Sequence, residues 1–355
     1  MFDHTAFDAH EGLHAFYDPA SGLRCVIAIH STARGPAAGG CRMWDYANSA
    51  DMVTDALRLS QGMSFKNAMA DLPLGGGKAV IWGDSRTGKS EALFRAFGRA
   101  VHQLQGRYYT AEDVGIDVAD IAIAARETPY VAGTDTGTGG KGDPSPITAR
   151  GVFLGILECA RRVFGTEDLD GRTIAVQGVG SVGGHLCTHL AEEGARLVIC
   201  DVDRDVLETV KRATGAEVVA PEEIYDVPAD IFSPNALGAV LNPDTLSRLS
   251  ARIIAGGANN QLATPDMGQR LAERGVLYAP DYVINGGGII NVAAEISGSY
   301  DAAWVEDKLA SLIETLGRVL DEALATGAST GAVADRMARE RIATARAANG
   351  APSGQ

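Results

Sequence analysis

Apolar and β-branched residues cluster in two short stretches near the start of the chain. Residues 12–18 (GLHAFYD) and the run LRCVIAIH from residue 23 are both predicted strands. An amphipathic stripe of Ala50, Met52, Val53, Ala56, Leu57 and Leu59 predicts a helix over about 48–63. KAVIW (78–82) is a short apolar run of the kind a buried strand shows, and SEALFRAFGRAVHQL (90–104) is a helix with Ser90 at its N-cap. RYYTAEDVG (107–115) is a strand that runs into a loop. The segment 133–146 (GTDTGTGGKGDPSP), dense in Gly, Thr, Asp and Pro, is the predicted hinge between two domains. After it the pattern changes. A helix over 147–163 leads to short apolar strands alternating with helical segments, which is how a parallel, doubly wound sheet is written. Two long helices close the chain, over 301–324 and about 329–348. The predicted class is α/β with two domains, and 355 residues suit that number.

Composition and charge narrow the function. No run of 18 apolar residues is present and the mean hydropathy is +0.00, so no membrane span is expected. The first residues carry acids in place of a basic start and an apolar stretch, so a secretory signal is not expected either. The net charge of −14 repels phosphate backbones, and nucleic acid is not an expected partner. Five scattered cysteines without a CxxC point to a reducing cytoplasm, with no disulfide framework and no metal. Only six of the 31 basic residues are lysine: Lys66, Lys78, Lys89, Lys141, Lys211 and Lys308. An arginine stays protonated, whereas a buried lysine can exchange a proton near neutrality, so each lysine is a candidate for chemistry.

The strongest local motif lies at 174–201. A strand (IAVQ) runs into Gly178-Val179-Gly180-Ser181-Val182-Gly183, a helix follows, and Asp201 ends the next strand 18 residues past Gly183. In such a GxGxxG turn the first glycine makes the bend, the second admits a pyrophosphate to the backbone, and the third packs helix on strand. The helix N-terminus then faces the negative charge. A carboxylate at Asp201 accepts both ribose hydroxyls and repels a 2′-phosphate, so NAD is favoured over NADP, with Arg204 nearby as the opposing feature. Two other motifs compete. Gly83 to Ser90 (GDSRTGKS) matches the P-loop pattern letter for letter, between a strand and a helix, and would make the protein a P-loop NTPase. Against that, no second apolar run ending in Asp is free to hold magnesium, and Asp84 would oppose a triphosphate. His185 and His189 stand four apart on a helix without a third ligand nearby, which reads as ordinary helix-face histidines.

Lys66 in GMSFKNAMA and Lys78 in LPLGGGKAVI sit 12 residues apart among small or apolar neighbours, and Asp113 ends another strand that can join them. Two ammonium groups and a carboxylate in a glycine-lined cleft suit an amino-acid substrate. One lysine would grip its carboxylate and the other, desolvated and beside a like charge, would act as a base.

The segments STARGPAAGGCRMW, GMSFKNAMADLPLGGGKAVI, YYTAEDVG, GDPSPITARGV, GVGSVGG, AGGANNQL and YAPDYVINGGG resemble the glutamate/leucine/phenylalanine/valine dehydrogenase family, over about residues 10–340. The resemblance is nearest to the branched-chain and aromatic members. It implies NAD-dependent oxidative deamination of an L-amino acid to a 2-oxo acid and ammonia, by a homo-oligomer. It implies a substrate and oligomerisation domain over 1–132, rejoined by the C-terminal helix at 329–355, a Rossmann-type NAD domain over 133–328, and a cleft between them. By motif, Lys66 corresponds to the lysine that holds the substrate carboxylate, Lys78 to the one that activates water, and Asp113 to the acid/base aspartate. Gly40, Ala38, Ala111, Ile289 and Val292 fall at substrate positions, all uncharged. Arg42, Thr148, Ala236, Asn259 and Asn260 fall at cofactor positions. Uncharged lining favours leucine, isoleucine and valine, with phenylalanine the alternative, because Ala38 stands where the leucine enzymes usually carry Leu. Asn235 replaces the family's usual Cys, and Lys141 stands where small residues are commoner.

Overall fold

The computed structural model describes residues 2–133, 143–298 and 300–350. Most of the expected hinge, 134–142 with Lys141, lies outside the described residues. The chain divides into two compact units, one of residues 1–143, 291–305 and 338–355, the other of 144–290 and 306–337.

The first unit carries β1 (Gly12–Asp18), β2 (Leu23–Ser31), β3 (Ala37–Ala38), β4 (Cys41–Trp44), α1 (Ser49–Met69), β5 (Gly75–Trp82), α2 (Glu91–His102), β6 (Tyr108–Tyr109) and α3 (Val118–Ala124). Its mixed sheet runs β1-β2-β5-β3-β6, with β4 also paired to β5. The period-two side-chain alternation of β2 divides the core. Cys25, Ile27 and Ile29 pack with Phe94 and Phe97 of α2 and Ile121 of α3, while Val26 and Ala28 pack with Met52 and Ala56 of α1. Burial on both faces explains why LRCVIAIH reads as a nearly continuous apolar run.

Two boundaries differ from the sequence expectation. Helix α1 continues past residue 63 to Met69, and β5 begins at Gly75, three residues before KAVIW. Both extensions meet at one contact. A Cβ at Gly76 would lie 2.0 Å from the Ser64 nitrogen, so bare backbone lets the last turns of α1 lie flat on the strand. Small residues have no hydrophobic period to read, so the extension that carries Lys66 was hidden from pattern analysis. The strand at 107–115 likewise forms a ladder only over Tyr108–Tyr109, with isolated bridges from Thr110 and Asp113 in the loop that follows.

The second unit carries α4 (Ser145–Phe164), β7 (Thr173–Gln177), α5 (Ser181–Glu192), β8 (Arg196–Cys200), α6 (Arg204–Thr214), β9 (Glu217–Val218), β10 (Ile231–Pro234), α7 (Pro243–Arg248), β11 (Ile253–Ile254), α8 (Asp266–Glu273), β12 (Leu277–Tyr278) and α9 (Asp281–Ile284). Helices α10 (Gly287–Ile296), α11 (Ala302–Thr326) and α12 (Thr330–Gly350) contribute to both units. The sheet is entirely parallel in the order β12-β11-β10-β7-β8-β9. In chain order that is 6-5-4-1-2-3, the doubly wound Rossmann arrangement, whose order reverses next to its first strand, β7. No described helix is long and apolar enough to cross a membrane.

The C-terminal stretch of α12 ties down the far end of α1. Arg341 donates to the Ala68 and Met69 carbonyls at 2.8 and 2.9 Å, and Arg339 pairs with Asp8 at 2.7 Å. Beside them, His30 of β2 is 5% exposed, bonds Ser64 Oγ at 2.7 Å, and meets the His10 ring edge-on at 4.8 Å. Burial first, and His10 second, push its pKa down to about 4, against the pull of Asp8. A histidine depressed in the fold binds fewer protons there than unfolded. Its contribution is therefore complete above the ordinary value and is lost as pH falls towards the folded one. Over that window the unit should lose up to about 3 kcal/mol at this site. Calorimetry of the parent and His30→Asn between pH 7 and 4.5 checks this: the parent's Tm should fall more steeply, and parallel curves would contradict it.

Candidate active site

Lys78 sits on β5, which is buried along most of its length, and is itself 4% exposed. An ammonium there needs a counter-charge, and it has one. Its Nζ lies 2.9 Å from Asp113 Oδ2, in the loop after β6. Between these two segments runs the chain of β3 and β4. It keeps one register against β5 on both sides of its break, Ala38 beside Gly76 and Arg42 beside Val80. At the break a Cβ on Gly40 would fall 2.4 Å from the Glu112 carbonyl oxygen and 2.9 Å from Asp113 Cβ. Glycine at 40 thus leaves the room through which the carboxylate approaches the lysine.

Arg42 Nε bonds the same Asp113 oxygen at 3.3 Å, and its Nη1 reaches Asp55 Oδ2 of α1 at 3.1 Å. Tyr46 Oη donates to Asp55 at 2.6 Å. Burial would push the Asp113 carboxyl up, but Lys78 and then Arg42 outweigh it and hold it below its ordinary value. Its neighbour Glu112 is pushed up instead, by burial and by Asp143, Asp117 and Asp113. Lys66 is half-buried near the end of α1, Ala38 is buried on β3 and Ala111 in the loop after β6, and Ile289 and Val292 both lie on α10.

Tyr108 and Asp55 were not legible in the sequence. Tyr108 is fully buried on the face of the sheet away from α1, in the core with Phe94 and Phe97. Its hydroxyl crosses the strand break, donating to the Gly39 carbonyl at 2.7 Å and accepting from the Ala79 amide at 3.1 Å. The available signal was the glycine run before Lys78: a Cβ at Gly77 would meet the Tyr108 ring at 2.7 Å.

In the second unit the three fingerprint glycines do different work. Gly178 has φ +87°, which only glycine takes readily, and Ala236 packs against it. A Cβ on Gly183 would lie 2.1 Å from the Gly178 carbonyl oxygen, whereas around Gly180 the space is open. Helix α5 starts at Ser181 and Val182 with no side-chain cap, so no capping side chain takes up its first N–H groups. Asp201 is braced at the end of β8, accepting from the Val179 amide at 2.7 Å and the Asp203 amide at 3.0 Å. These features fit a dinucleotide: an uncapped helix N-terminus for the pyrophosphate, and a fixed acid one strand away for the ribose. Thr148 donates to the Pro144 carbonyl, Asn259 accepts from Asn285, and Asn260 adopts φ +53°. Asn235 joins two loop ends, donating to the Ser233 carbonyl at 3.0 Å and accepting from the Gly257 amide at 2.8 Å.

The P-loop pattern is filled from within. Asp84 accepts from the Arg86 amide and the Thr87 hydroxyl, Ser90 caps α2, and Lys89 turns away to Asp117 and Asp120 at 3.2 and 2.5 Å. Neither loop nor lysine is shaped for a triphosphate. His189 packs on Phe153 at 5.4 Å, and among the described residues no three His, Cys, Asp or Glu side chains gather as metal ligands.

A parallel, doubly wound sheet of the dinucleotide-binding kind in one unit, together with a buried lysine paired with a carboxylate in the other, is the pattern of a dehydrogenase. Residues 10–130 match the model described as Glu/Leu/Phe/Val dehydrogenase, dimerisation domain, and residues 199–350 match the Glutamate/Leucine/Phenylalanine/Valine dehydrogenase model. The chain is 49% identical to a leucine dehydrogenase of Geobacillus stearothermophilus over 93% of its own length and 90% of the relative's. It is 46% identical to a valine dehydrogenase of Streptomyces albus, over 97% and 96%. An L-tryptophan dehydrogenase from Nostoc punctiforme superposes with TM-score 0.83 at 42% identity, covering 95% of this chain and 97% of that one. The chain therefore belongs to the glutamate/leucine/phenylalanine/valine dehydrogenase family, and is an amino-acid dehydrogenase.

Replacing Tyr108 by Phe keeps the ring and removes only the hydroxyl, leaving the buried Gly39 carbonyl without that donor. The expected loss is about 1–3 kcal/mol. Thermal denaturation of Tyr108→Phe against the parent reads it, and an unchanged Tm would exclude the pin.

Proposed function

We propose that the protein catalyses NAD-dependent, reversible oxidative deamination of leucine, isoleucine and valine to the 2-oxo acid and ammonia. The observation that carries this is the buried Lys78–Asp113 pair at 2.9 Å. A base and an acid in hydrogen-bond reach of each other are what the two proton transfers of deamination require. On this reading Lys66 holds the substrate carboxylate as a point charge, and Asp113 takes a proton from the substrate ammonium. When bound, NAD would supply the acceptor for the hydride leaving Cα. Lys78 then draws the proton from a water that attacks the imine carbon, and Asp113 returns a proton to the departing nitrogen. Electrons balance, two passing from the Cα–H bond to the cofactor while water supplies the oxo oxygen. Gly178, Gly180, Ser181, Val182, Gly183 and Asp201 hold the dinucleotide, with Ala236, Thr148, Asn259 and Asn260 along it, and exposed Val202 beside Asp201 offers an apolar face to a base. The Asp201 carboxylate favours NAD over NADP. The buried free thiols suit a reducing cytoplasm, and the model matched by residues 10–130 is described as a dimerisation domain, in keeping with a homo-oligomer.

Ala38, Ala111, Ile289 and Val292 are read as the side-chain pocket. None is charged, and a glutamate carboxylate buried there without a partner would cost several kcal/mol. The second reading, an aromatic substrate such as phenylalanine, is favoured by one observation: Ala38, fully buried, removes bulk where the leucine enzymes usually have Leu.

Two experiments decide these points. Lys78→Ala should fold and bind NAD but lose about 10²–10⁴ in turnover, and Lys78→Arg should be nearly as poor, since guanidinium does not release its proton. An arginine variant close to full activity would remove Lys78 from this role. For the substrate, kcat/KM for leucine and valine should exceed that for phenylalanine, followed as NADH absorbance. A methylene-scale difference discriminates only about 10–200-fold, so some breadth is expected. Phenylalanine ahead by about tenfold would reverse the assignment, and Ala38→Leu should then restore the aliphatic preference.

A further inference from the structure

Asp113 Oδ2 is shared by two cations, Lys78 at 2.9 Å and Arg42 at 3.3 Å. Deamination as read above uses the first as a base, while the resemblance gave the second only a cofactor position and no part in the proton chemistry. Arg42 is nonetheless fixed at both ends: its Nη1 reaches both oxygens of Asp55, at 3.1 and 3.4 Å, and Tyr46 donates to Asp55 Oδ2 at 2.6 Å. The four charges form one row, Lys78–Asp113–Arg42–Asp55, with side-chain exposures of 6, 22, 21 and 27%. The buried end is Lys78. The other end opens on a cavity of about 430 Å³ lined by Trp44, Tyr46, Asp51 and Arg58 besides the pair itself.

The row is neutral while Lys78 carries its proton. Once Lys78 gives the proton up, the row bears one negative charge, and Arg42 is the only member left to offset two carboxylates. Without Arg42 the same step would take the row from one negative charge to two. Without Asp55 it would start from one positive charge and end neutral. Other ionisable groups also lie around the row. From α1 come Asp51, Arg58 and, further along, Lys66; from the loop after β6, Glu112 beside Asp113; from the loop after β4, Tyr46, which burial and Asp55 keep protonated. On the opposite face of the sheet, Cys41 and Tyr108 are kept protonated by burial.

We propose that Arg42 and Asp55 are positioning residues of opposite sign that set the pH at which the Lys78–Asp113 pair becomes competent, Arg42 making proton release easier and Asp55 making it harder. The inference rests on the deamination reading for what the released proton is used for, and on the shared oxygen for its electrostatics. It assigns Asp55 a part that no sequence motif gave it.

The test is the pH dependence of kcat/KM with leucine and NAD in three variants. Arg42→Met should move the rising limb to higher pH by about one unit, a roughly tenfold fall at a pH below the parent midpoint. Asp55→Asn should move it to lower pH by about half a unit, a gain of about threefold at the same pH. Arg42→Lys keeps the charge and should hold the midpoint near the parent's. A purely structural part for these residues would lower kcat/KM at every pH and leave the midpoint alone. Unmoved midpoints, or both shifts in one direction, would overturn the proposal. Should Arg42→Met not fold, the acid shift of Asp55→Asn decides alone. Competitive acetylation of Lys78 with acetic anhydride, read by mass spectrometry across pH, follows the same midpoints without turnover. If those midpoints move while no amino acid reduces NAD, the deamination reading fails and the charge row stands. If turnover is normal and they do not move, the reverse holds.

Discussion

A lysine ammonium and an aspartate carboxylate held 2.9 Å apart, with the lysine 4% exposed, constrain how the first unit must be built. Taking two charges out of water costs several kcal/mol for each ion, and only close approach with good partners offsets it. Close approach here means that backbone must stand aside. Lys78 and Asp113 lie in segments on either side of the β3–β4 chain, and at Gly40 even one methyl group would collide with the Asp113 side chain. The same need runs below the pair, where Gly77 gives up its side-chain volume to the Tyr108 ring and the Tyr108 hydroxyl bonds the carbonyl of Gly39. Above it, Gly76 lets α1 lie flat, which carries Asp55 and Lys66 over the sheet on one rigid helix. The glycines cluster where the charges meet.

This division explains what pattern analysis reached and what it missed. The dinucleotide half is local: strand, turn, glycines, helix and acid fall within residues 173–201, and each responds to its immediate neighbours in the chain. Gly178 takes its left-handed conformation and Asp201 braces the turn through Val179, whatever the rest of the sheet does. Its parallel, doubly wound order was therefore legible from strand–helix alternation. The first unit is non-local. Its order β1-β2-β5-β3-β6 brings together residues 35 to 71 positions apart, and nothing in the periodicity of KAVIW or CRMW states that order. Lys78 and Lys66 stood out because lysine is scarce here. Arg42 was picked out only through the resemblance, and then at a cofactor position, while Asp55 looks like any polar position on an amphipathic helix.

The P-loop pattern shows the same distinction from the other side. Its letters are local and complete, but a phosphate loop works only if its amides and lysine point inward. In this chain Asp84 takes up the loop's own donors and Lys89 is drawn to the N-terminus of α3, where Asp117 and Asp120 form a capping box. A motif of residue types is a statement about possible partners. The partners were supplied by a helix nearly thirty residues further on, which the motif does not include.

The two cations on Asp113 show why the chain can write nearly all its bases as arginine and still keep Lys78. Arginine presents donors in a fixed plane and keeps its charge at any working pH, so it can span two carboxylates and remain a constant of the site. Lysine presents a compact ammonium that can release its proton when the surroundings allow. On the proposed reading, one residue at Asp113 supplies the fixed charge and the other the exchangeable proton, and exchanging their identities would lose both. An arginine at position 78 would hold Asp113 permanently and leave no base. A lysine at position 42 would keep the charge but could not spread Nε and Nη1 between Asp113 and Asp55 as Arg42 does at 3.3 and 3.1 Å. Read this way, the proposed chemistry depends on a difference between two side chains of equal charge, placed on the same oxygen.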